Sequence, residues 1–477
     1  MSPIIVWFRQ DLRLTDNPSL AHAAASGQPL LCLYILDDET PGRWRLGGAS
    51  RWWLHQSLSA LGRELALIGG RLVLRRGRAG DVLRSVILES SANAVVWNRC
   101  YEPFAVARDT KLKAQLDNAG IITKSFNAAL LAEPWELATK AGTPFRIFTP
   151  FWKMLRQREI AQPMPAPRAL PCFRGPVASD DLRSWKLTPT APDWAAGFRQ
   201  RWTPGEAAAG EALRDFLDRA ADYPALRDRP DLVATSRLSP HLHWGEISPR
   251  QVWHAIRAKA YELPDDGEKY LSELAWREFA HHLLYHFPAL PEEPLDSSFA
   301  DFPWTDDRIT LRTWKNGETG IPIVDAGMRE LWRTGWMHNR VRMIAASFLV
   351  KHLMIRWQQG AAWFWDTLVD ADLANNAMGW QWVAGCGADA APFFRIFNPV
   401  LQGEKFDPEG HYVRRYVPEL ANLPARHIHR PWQAPSLALA EAGLRLGRNY
   451  PLPVVDLAAG RTRALDAFRN RRVSHKG

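Results

Sequence analysis

Five short runs rich in Val, Ile and Leu lie within the first 130 residues, at 4–8 (IIVWF), 30–36 (LLCLYIL), 71–76 (RLVLRR), 94–98 (AVVWN) and 121–126 (IITKSF). Alternating with helical patterns, they predict a parallel α/β sheet, because parallel neighbours can be joined only through a crossover of a dozen or more residues. Residues 48–67 supply such a crossover, since Trp52, Leu58, Leu61 and Leu65 fall on one face at helical spacing. No GxGxxG and no GxxxxGK[ST] accompanies the strands, so a standard dinucleotide or nucleotide phosphate site is not expected on this sheet.

From 131 to 200 proline recurs, from Pro134 to Pro192, and periodicity fades, as in a long connector over the surface. After about residue 200 strand signals nearly vanish. Amphipathic helical patterns take over, punctuated by Leu238-Ser239-Pro240 and Ile247-Ser248-Pro249. At 477 residues and 46% hydrophobic, the chain can bury more than one core. The expected organisation is an α/β N-terminal domain with a Rossmann-like parallel sheet (1–130), an inter-domain connector (131–200) and an all-helical C-terminal domain (201–477). The basic stretch 461–476 reads as a frayed helix end.

Lys and Arg outnumber Asp and Glu by 60 to 51, a formal charge of +9. That balance favours a polyanionic partner over a bare metabolite, although it also serves solubility. Cys32, Cys100, Cys172 and Cys386 are far apart, with no CxxC or Cys/His pairing. Buried free thiols in a reducing compartment are expected, and no metal site. The chain opens directly into an apolar strand and no later stretch approaches a membrane span, so the expectation is a soluble, cytoplasmic protein. Tryptophan, 23 of 477 residues, exceeds what core packing explains.

Four segments of the helical half concentrate chemistry. Residues 270–279 (YLSELAWREF) put Glu273, Trp276 and Arg277 on one helix face. Such a face can bond a base edge, stack on a pyrimidine and hold a phosphate, or it can be a surface salt bridge beside a packed indole. In 335–343 (GWMHNRVRM), Asn339 and Met343 share a face with Arg342 beside them and Arg340 turned elsewhere. That arrangement suits a flat, partly polar ring near a phosphate, or equally a core helix with solvated arginines. Residues 370–382 (DADLANNAMGWQW) crowd acidic, amide and indole groups together, unlike an amphipathic surface helix, and need a polar object to wrap around. The plainer reading, an irregular capped turn, leaves the two tryptophans that follow unexplained. Residues 235–240 (TSRLSP) cluster hydroxyls and amides ahead of a helix expected after Pro249, which suits a pyrophosphate or simply caps and turns.

Together with VWFRQDLRLTDNPSL (6–20) and FFRIFNPVLQGEKFDPEG (393–410), these motifs resemble the photolyase/cryptochrome family over nearly the whole chain. The resemblance implies an N-terminal antenna domain, a long connector and a helical domain that holds FAD bent into a U. It assigns the flavin to Tyr223, Thr235, Ser236, Leu238, Ser239, Glu273, Arg277, Asn339, Arg342, Asp370, Asp372 and Asn376, with Asn376 at the reactive edge of the isoalloxazine. It assigns the lesion to Glu273, Trp276, Asn339, Met343 and Trp382, with Arg227, Arg277, Arg340 and Arg395 for phosphates. A photoreduction relay would run from Trp380 nearest the flavin through Trp357 to Trp304 at the surface. Glu273, Asn376 and the relay are thereby the catalytic set, while Trp336, Trp363 and Trp365 are expected in the core.

The implied activity is light-driven repair of cyclobutane pyrimidine dimers in DNA. Excited, reduced anionic FAD passes an electron to the flipped-out dimer, the ring opens and the electron returns, so the cofactor carries the chemistry while the protein orients it. Asn339 stands where six-four photolyases carry a second histidine. Asn376 stands where plant-type cryptochromes typically have Asp, and no long C-terminal extension is seen. Dimer repair is therefore expected over six-four repair or a blue-light photoreceptor. In 101–109 (YEPFAVARD), Phe104 and Ala105 replace the Asn and Glu common in folate-binding members. The stretch 42–54 (GRWRLGGASRWWL) looks like a bacterial branch close to plant cryptochromes, which implies 5,10-methenyltetrahydrofolate as antenna, with a deazaflavin as the alternative. The expected partner is DNA carrying pyrimidine dimers, bound by a monomer.

Overall fold

All five apolar runs form strands: β1 (Ile4–Phe8), β2 (Leu30–Leu36), β3 (Leu72–Arg76), β4 (Ala94–Asn98) and β5 (Ile122–Phe126). The structure, a computed structural model, describes residues 1–390 and 394–474. Phe393 of the 393–410 motif and Lys476 of the basic stretch lie outside the described residues. The strands pair in parallel in the order β3-β2-β1-β4-β5, with Val6 facing Cys32 on one side and Val96 on the other. β1, β2 and β4 are buried along their whole length, which is why they read as unbroken apolar runs. β5, at an edge, is more exposed and carries Lys124 and Ser125. The helix Gly48–Leu67 forms where the periodicity places it and buries Trp52, Leu58, Leu61 and Leu65.

The strand order reverses between β1 and β4, the place where doubly wound sheets take nucleotides. Side chains fill that place here. Asn98 donates to Asp11 (2.6 Å) and Asn17 (2.7 Å), while Arg9 donates to Asp109 (2.5 Å) and to the Asn98 carbonyl. A phosphate would need bare backbone amides at this point, and the sequence supplies none of the glycine motifs that provide them.

The stretch 131–200 is more than the connector its prolines imply. Phe148–Leu155 is a helix that buries Phe148, Phe151 and Leu155. The Leu30 amide donates to Pro171 (2.6 Å), the Phe173 amide donates to Leu30 (2.9 Å), and Val177 joins the core of the sheet. Prolines erase periodicity by fixing φ and removing donors, but the apolar residues between them still pack.

Packing divides the chain into two compact units. One comprises Met1–Ala221, Ser236–Pro288 and Val369–Asp372, and the other Asp222–Thr235, Ala289–Leu368 and Leu373–Gly477. These limits do not follow the boundaries expected near 130 and 200. The first unit adds helices such as Pro249–Ala258 and Glu268–His286 to the sheet. The former starts on a capping box, in which Ser248 accepts from the Gln251 amide (3.0 Å) and Gln251 accepts from the Ser248 amide (2.8 Å).

The second unit is helical. Its last element corrects the expectation of a frayed end, because Leu457–Ser474 is a continuous helix. Ala464 is buried, the Phe468 ring stacks on Phe394 at 4.3 Å, and the Arg471 guanidinium lies 4.0 Å from the Phe299 ring centre. The docking stripe is one residue wide per turn, and the basic composition hides it. The four cysteines are free, but only Cys32 and Cys386 are buried, while Cys100 and Cys172 are half-buried. Among the described residues no helix is long and apolar enough to cross a membrane.

Candidate functional site

In the first unit the TSRLSP segment does not wait for Pro249 to become helical. Arg237 turns the backbone at φ +55, and a short helix, Ser239–His243, follows at once. The Ser236 hydroxyl accepts from the Tyr270 phenol (2.9 Å), and the Ser239 hydroxyl donates to Asp370 (2.6 Å). Leu238 is buried between them in sequence. The same short helix carries His243, whose Nδ1 is 3.5 Å from an Asp372 oxygen, and His281 Nε2 approaches that oxygen at 3.4 Å. Burial by itself pushes the Asp372 carboxyl up, but His281 and His243 outweigh it and hold the group well below the ordinary carboxylate range. Asp372 is therefore an acceptor-only group, ionised at any working pH. Neither histidine was singled out from the sequence.

The helix Glu268–His286 carries Glu273, Trp276 and Arg277 on the face expected of it. Trp276 is half-buried because Phe148, from the stretch read as connector, lies flat against it at 3.7 Å and 8°. Glu273 faces Lys269 at 3.5 Å, the plain salt-bridge alternative realised in part. Arg277 donates to the Ala129 carbonyl (2.8 Å) and to Glu278 (3.2 Å), so its guanidinium is engaged inside this unit.

In the second unit, the His338 side chain accepts from the Arg340 amide (3.2 Å) and so caps the helix Asn339–Ser347. Asn339 Nδ2 and Met343 Sδ meet at 3.9 Å, as the spacing requires. Arg342 donates to the Met337 carbonyl (2.7 Å) and lies over Trp336 at 5.8 Å. Arg340 does turn elsewhere and pairs with Asp228 (2.6 Å). Arg227 is 3.8 Å from the same carboxylate and lies over the buried Tyr223 ring at 5.3 Å. Two of the arginines assigned to phosphates thus share a carboxylate that sequence reasoning passed over. Thr235 is half-buried and ends the segment that carries Tyr223 and Arg227 in this unit.

The motif ANNAMGWQW forms the helix Leu373–Ala384, packed on Trp357–Thr367. Asn376 Nδ2 donates to the Ala361 carbonyl (3.0 Å), which sets the orientation of its amide. The buried Trp380 indole lies over Gly360, where an added Cβ would come within 2.1 Å of it, and edge-on to Phe364 at 5.0 Å. Trp357, also buried, begins the helix that Gly360 continues. Half-buried Trp304 joins through the backbone, since the Thr305 amide donates to the Met354 carbonyl (2.7 Å), just ahead of Trp357. All three relay positions therefore lie on adjoining elements of one unit. Trp382 sits under the exposed Arg395 at 5.4 Å. Trp336 and Trp365 are buried as expected, but Trp363 is not core: it stacks on the exposed Trp332 at 6.0 Å and 5°.

Known proteins resemble the chain in sequence and fold. Residues 4–168 match the model of DNA photolyase, and residues 270–470 match that of the FAD binding domain of DNA photolyase. The chain is 52% identical to the deoxyribodipyrimidine photo-lyase of Agrobacterium fabrum over 98% of both chains. It is 39% identical to cryptochrome-1 of Arabidopsis thaliana over 97% of this chain and 70% of that one. Its fold superposes on a bacterial class III photolyase from Agrobacterium tumefaciens with a TM-score of 0.96 and 51% identity, covering 99% of this chain and 98% of the other. With the parallel sheet, the helical FAD-binding half and likeness along its whole length agreeing, this chain belongs to the photolyase/cryptochrome family.

Proposed function

We propose that the chain repairs cyclobutane pyrimidine dimers in DNA under light. The observation that carries this reading is the 52% identity, end to end, with a deoxyribodipyrimidine photo-lyase. Bound FAD supplies the light-driven electron and takes it back. The chain's own groups bind and orient. Ser239, Asp370 and the ionised Asp372 offer hydroxyl and carboxylate partners in the first unit, with Ser236, Leu238 and Arg277 beside them in sequence or on neighbouring helices. Tyr223, Thr235, Asn339, Arg342 and Asn376 are assigned to the flavin on the family resemblance. The Asn376 amide has no titratable proton to give a reduced flavin.

Trp276, backed by Phe148, is the stacking platform for a flipped pyrimidine, and Glu273 one turn earlier is the acceptor for its edge. Met343, Trp382 and Arg395 are assigned to the lesion on the family resemblance, and Trp380, Trp357 and Trp304 are the path that re-reduces the flavin. A formal charge of +9 suits a DNA partner. We assign the antenna to 5,10-methenyltetrahydrofolate, on the resemblance of residues 42–54, with a deazaflavin as the alternative. The working state is a cytoplasmic monomer that gathers on the nucleoid when it binds DNA.

The test is blue-light treatment of an oligonucleotide carrying one thymine cyclobutane dimer with the reduced protein, beside a dark control and a six-four lesion. Light-dependent restoration of the dimer alone is expected. Repair of the six-four lesion reassigns the substrate. Failure on both lesions with reduced FAD bound points to a photoreceptor.

A further inference from the structure

The second unit contains a cavity of about 940 Å³ that no residue assigned to flavin or lesion lines. It lies among residues 396–398, the helix Pro399–Phe406, the short 3-10 turn Pro431–Gln433 and the start of Leu457–Ser474. A volume in this range accommodates a whole small-molecule ligand. Its apolar lining comprises Ile396, Val400 and Leu457 with the rings of Phe397 and Trp432. Its polar lining includes the amides of Gln402 and Gln433 and the guanidinium groups of Arg430 and Arg461.

The lining includes His352, which is 1% exposed and whose Nδ1 has no hydrogen-bond partner among the described residues. The helix Asn339–Ser347 leads to it by widening into a π-turn, Phe348–His352, a distortion frequent at functional sites. Its backbone is pinned, since Arg463 donates to the His352 carbonyl at 2.6 Å. Burial first, and the Arg463 charge second, bring the imidazole pKa down to about 4, so the ring is neutral and has one donor and one acceptor to offer. Buried polar atoms are almost always paired, and an orphan beside a ligand-sized cavity marks a place for an incoming partner.

We propose that this cavity binds a planar heteroaromatic molecule carrying an anionic group, of the size and chemistry of a mononucleotide. The ring stacks on the Trp432 indole, its polar edge meets His352 Nδ1 and the glutamine amides, and the anionic group meets Arg461. Arg430 is partly committed, since it pairs with Glu404 at 3.1 Å. Asp456 is the one acid among the described lining residues, and its repulsion of an anion is outweighed by the attraction of two arginines.

The test uses the FAD-loaded protein, so that the flavin site is already filled, and calorimetric titration with AMP, FMN, adenosine and inorganic phosphate. Saturable one-to-one binding of AMP or FMN is expected, about tenfold or more tighter than adenosine or phosphate alone. The better of the two identifies an adenine or a flavin nucleotide as the ligand. Trp432→Ala should weaken that binding about ten- to hundredfold and Arg461→Ala about tenfold, with flavin content and the thermal midpoint unchanged. Absence of saturable binding of all four probes at millimolar concentration overturns the proposal. So does binding that both substitutions leave intact, or phosphate binding as tight as that of AMP.

Discussion

His282 shows how a single residue's hydrogen bonds set its charge. The Phe145 amide donates to its Nε2 (3.0 Å) and its Nδ1 faces the Pro134 carbonyl (3.2 Å), a pattern only the neutral ring satisfies. Burial, helped by nearby His286, brings its pKa down to about 4. The unfolded chain therefore takes up a proton below the ordinary histidine value near 6.5 while the folded chain does not, and stability is lost as pH falls from about 6.5 towards 4. We expect thermal unfolding to report a loss of ~1–2 kcal/mol from this group between pH 6.5 and 5. The slope should be shallower in His282→Gln, whose amide can keep both bonds, and an equal slope would assign the acid sensitivity to other groups. Gly360 carries a second residue-scale prediction. Alanine there gains about 1 kcal/mol of helix propensity but drives a methyl into the Trp380 ring, and overpacking of about 1–3 kcal/mol wins. Gly360→Ala should lower the unfolding midpoint and slow flavin photoreduction, which flash photolysis measures.

At the scale of elements, periodicity makes contacts within a helix legible and conceals contacts between helices. Asn339 with Met343, and Glu273 with Trp276, follow from i, i+3 and i+4 spacing. The pairing of Ser239 with Asp370 spans 131 residues, and the flat stack of Trp276 on Phe148 joins a helix to a stretch that proline had disguised as connector. The docking of the C-terminal helix Leu457–Ser474 escaped for a related reason: Arg471 holds it with a guanidinium lying on Phe299 and Phe468 and bonded to Asp296 (3.1 Å) and Ser298, which hydropathy counts as polar. Arg471→Ala should cost about 2–3 kcal/mol and raise amide hydrogen exchange selectively along residues 457–474. Uniform exchange across the second unit would deny the helix a local docking point.

For the whole molecule the charge of +9 matters through the phosphates it can reach. Three to four contacts predict that affinity for dimer-containing DNA falls about 40- to 150-fold between about 50 and 200 mM salt. Exposed Arg395, stacked on Trp382, should contribute about one unit of that slope, and Arg340, already facing Asp228, less. Filter binding of Arg395→Ala and Arg340→Ala across salt concentrations checks this, and equal slopes would remove Asp228 as the discriminating group.

The amino-acid sequence by itself determined the sheet, the crossover helix, the helical second half and the segments where chemistry gathers, because strand and helix periods and contiguous motifs are local properties of the chain. Tertiary structure alone decided that His243 and His281 keep Asp372 ionised, that Phe148 backs Trp276 and that Asp228 takes up two arginines. Each of these joins residues distant in the chain, and burial, which sets both their charge and their packing, is a property no stretch of sequence has until the rest folds around it.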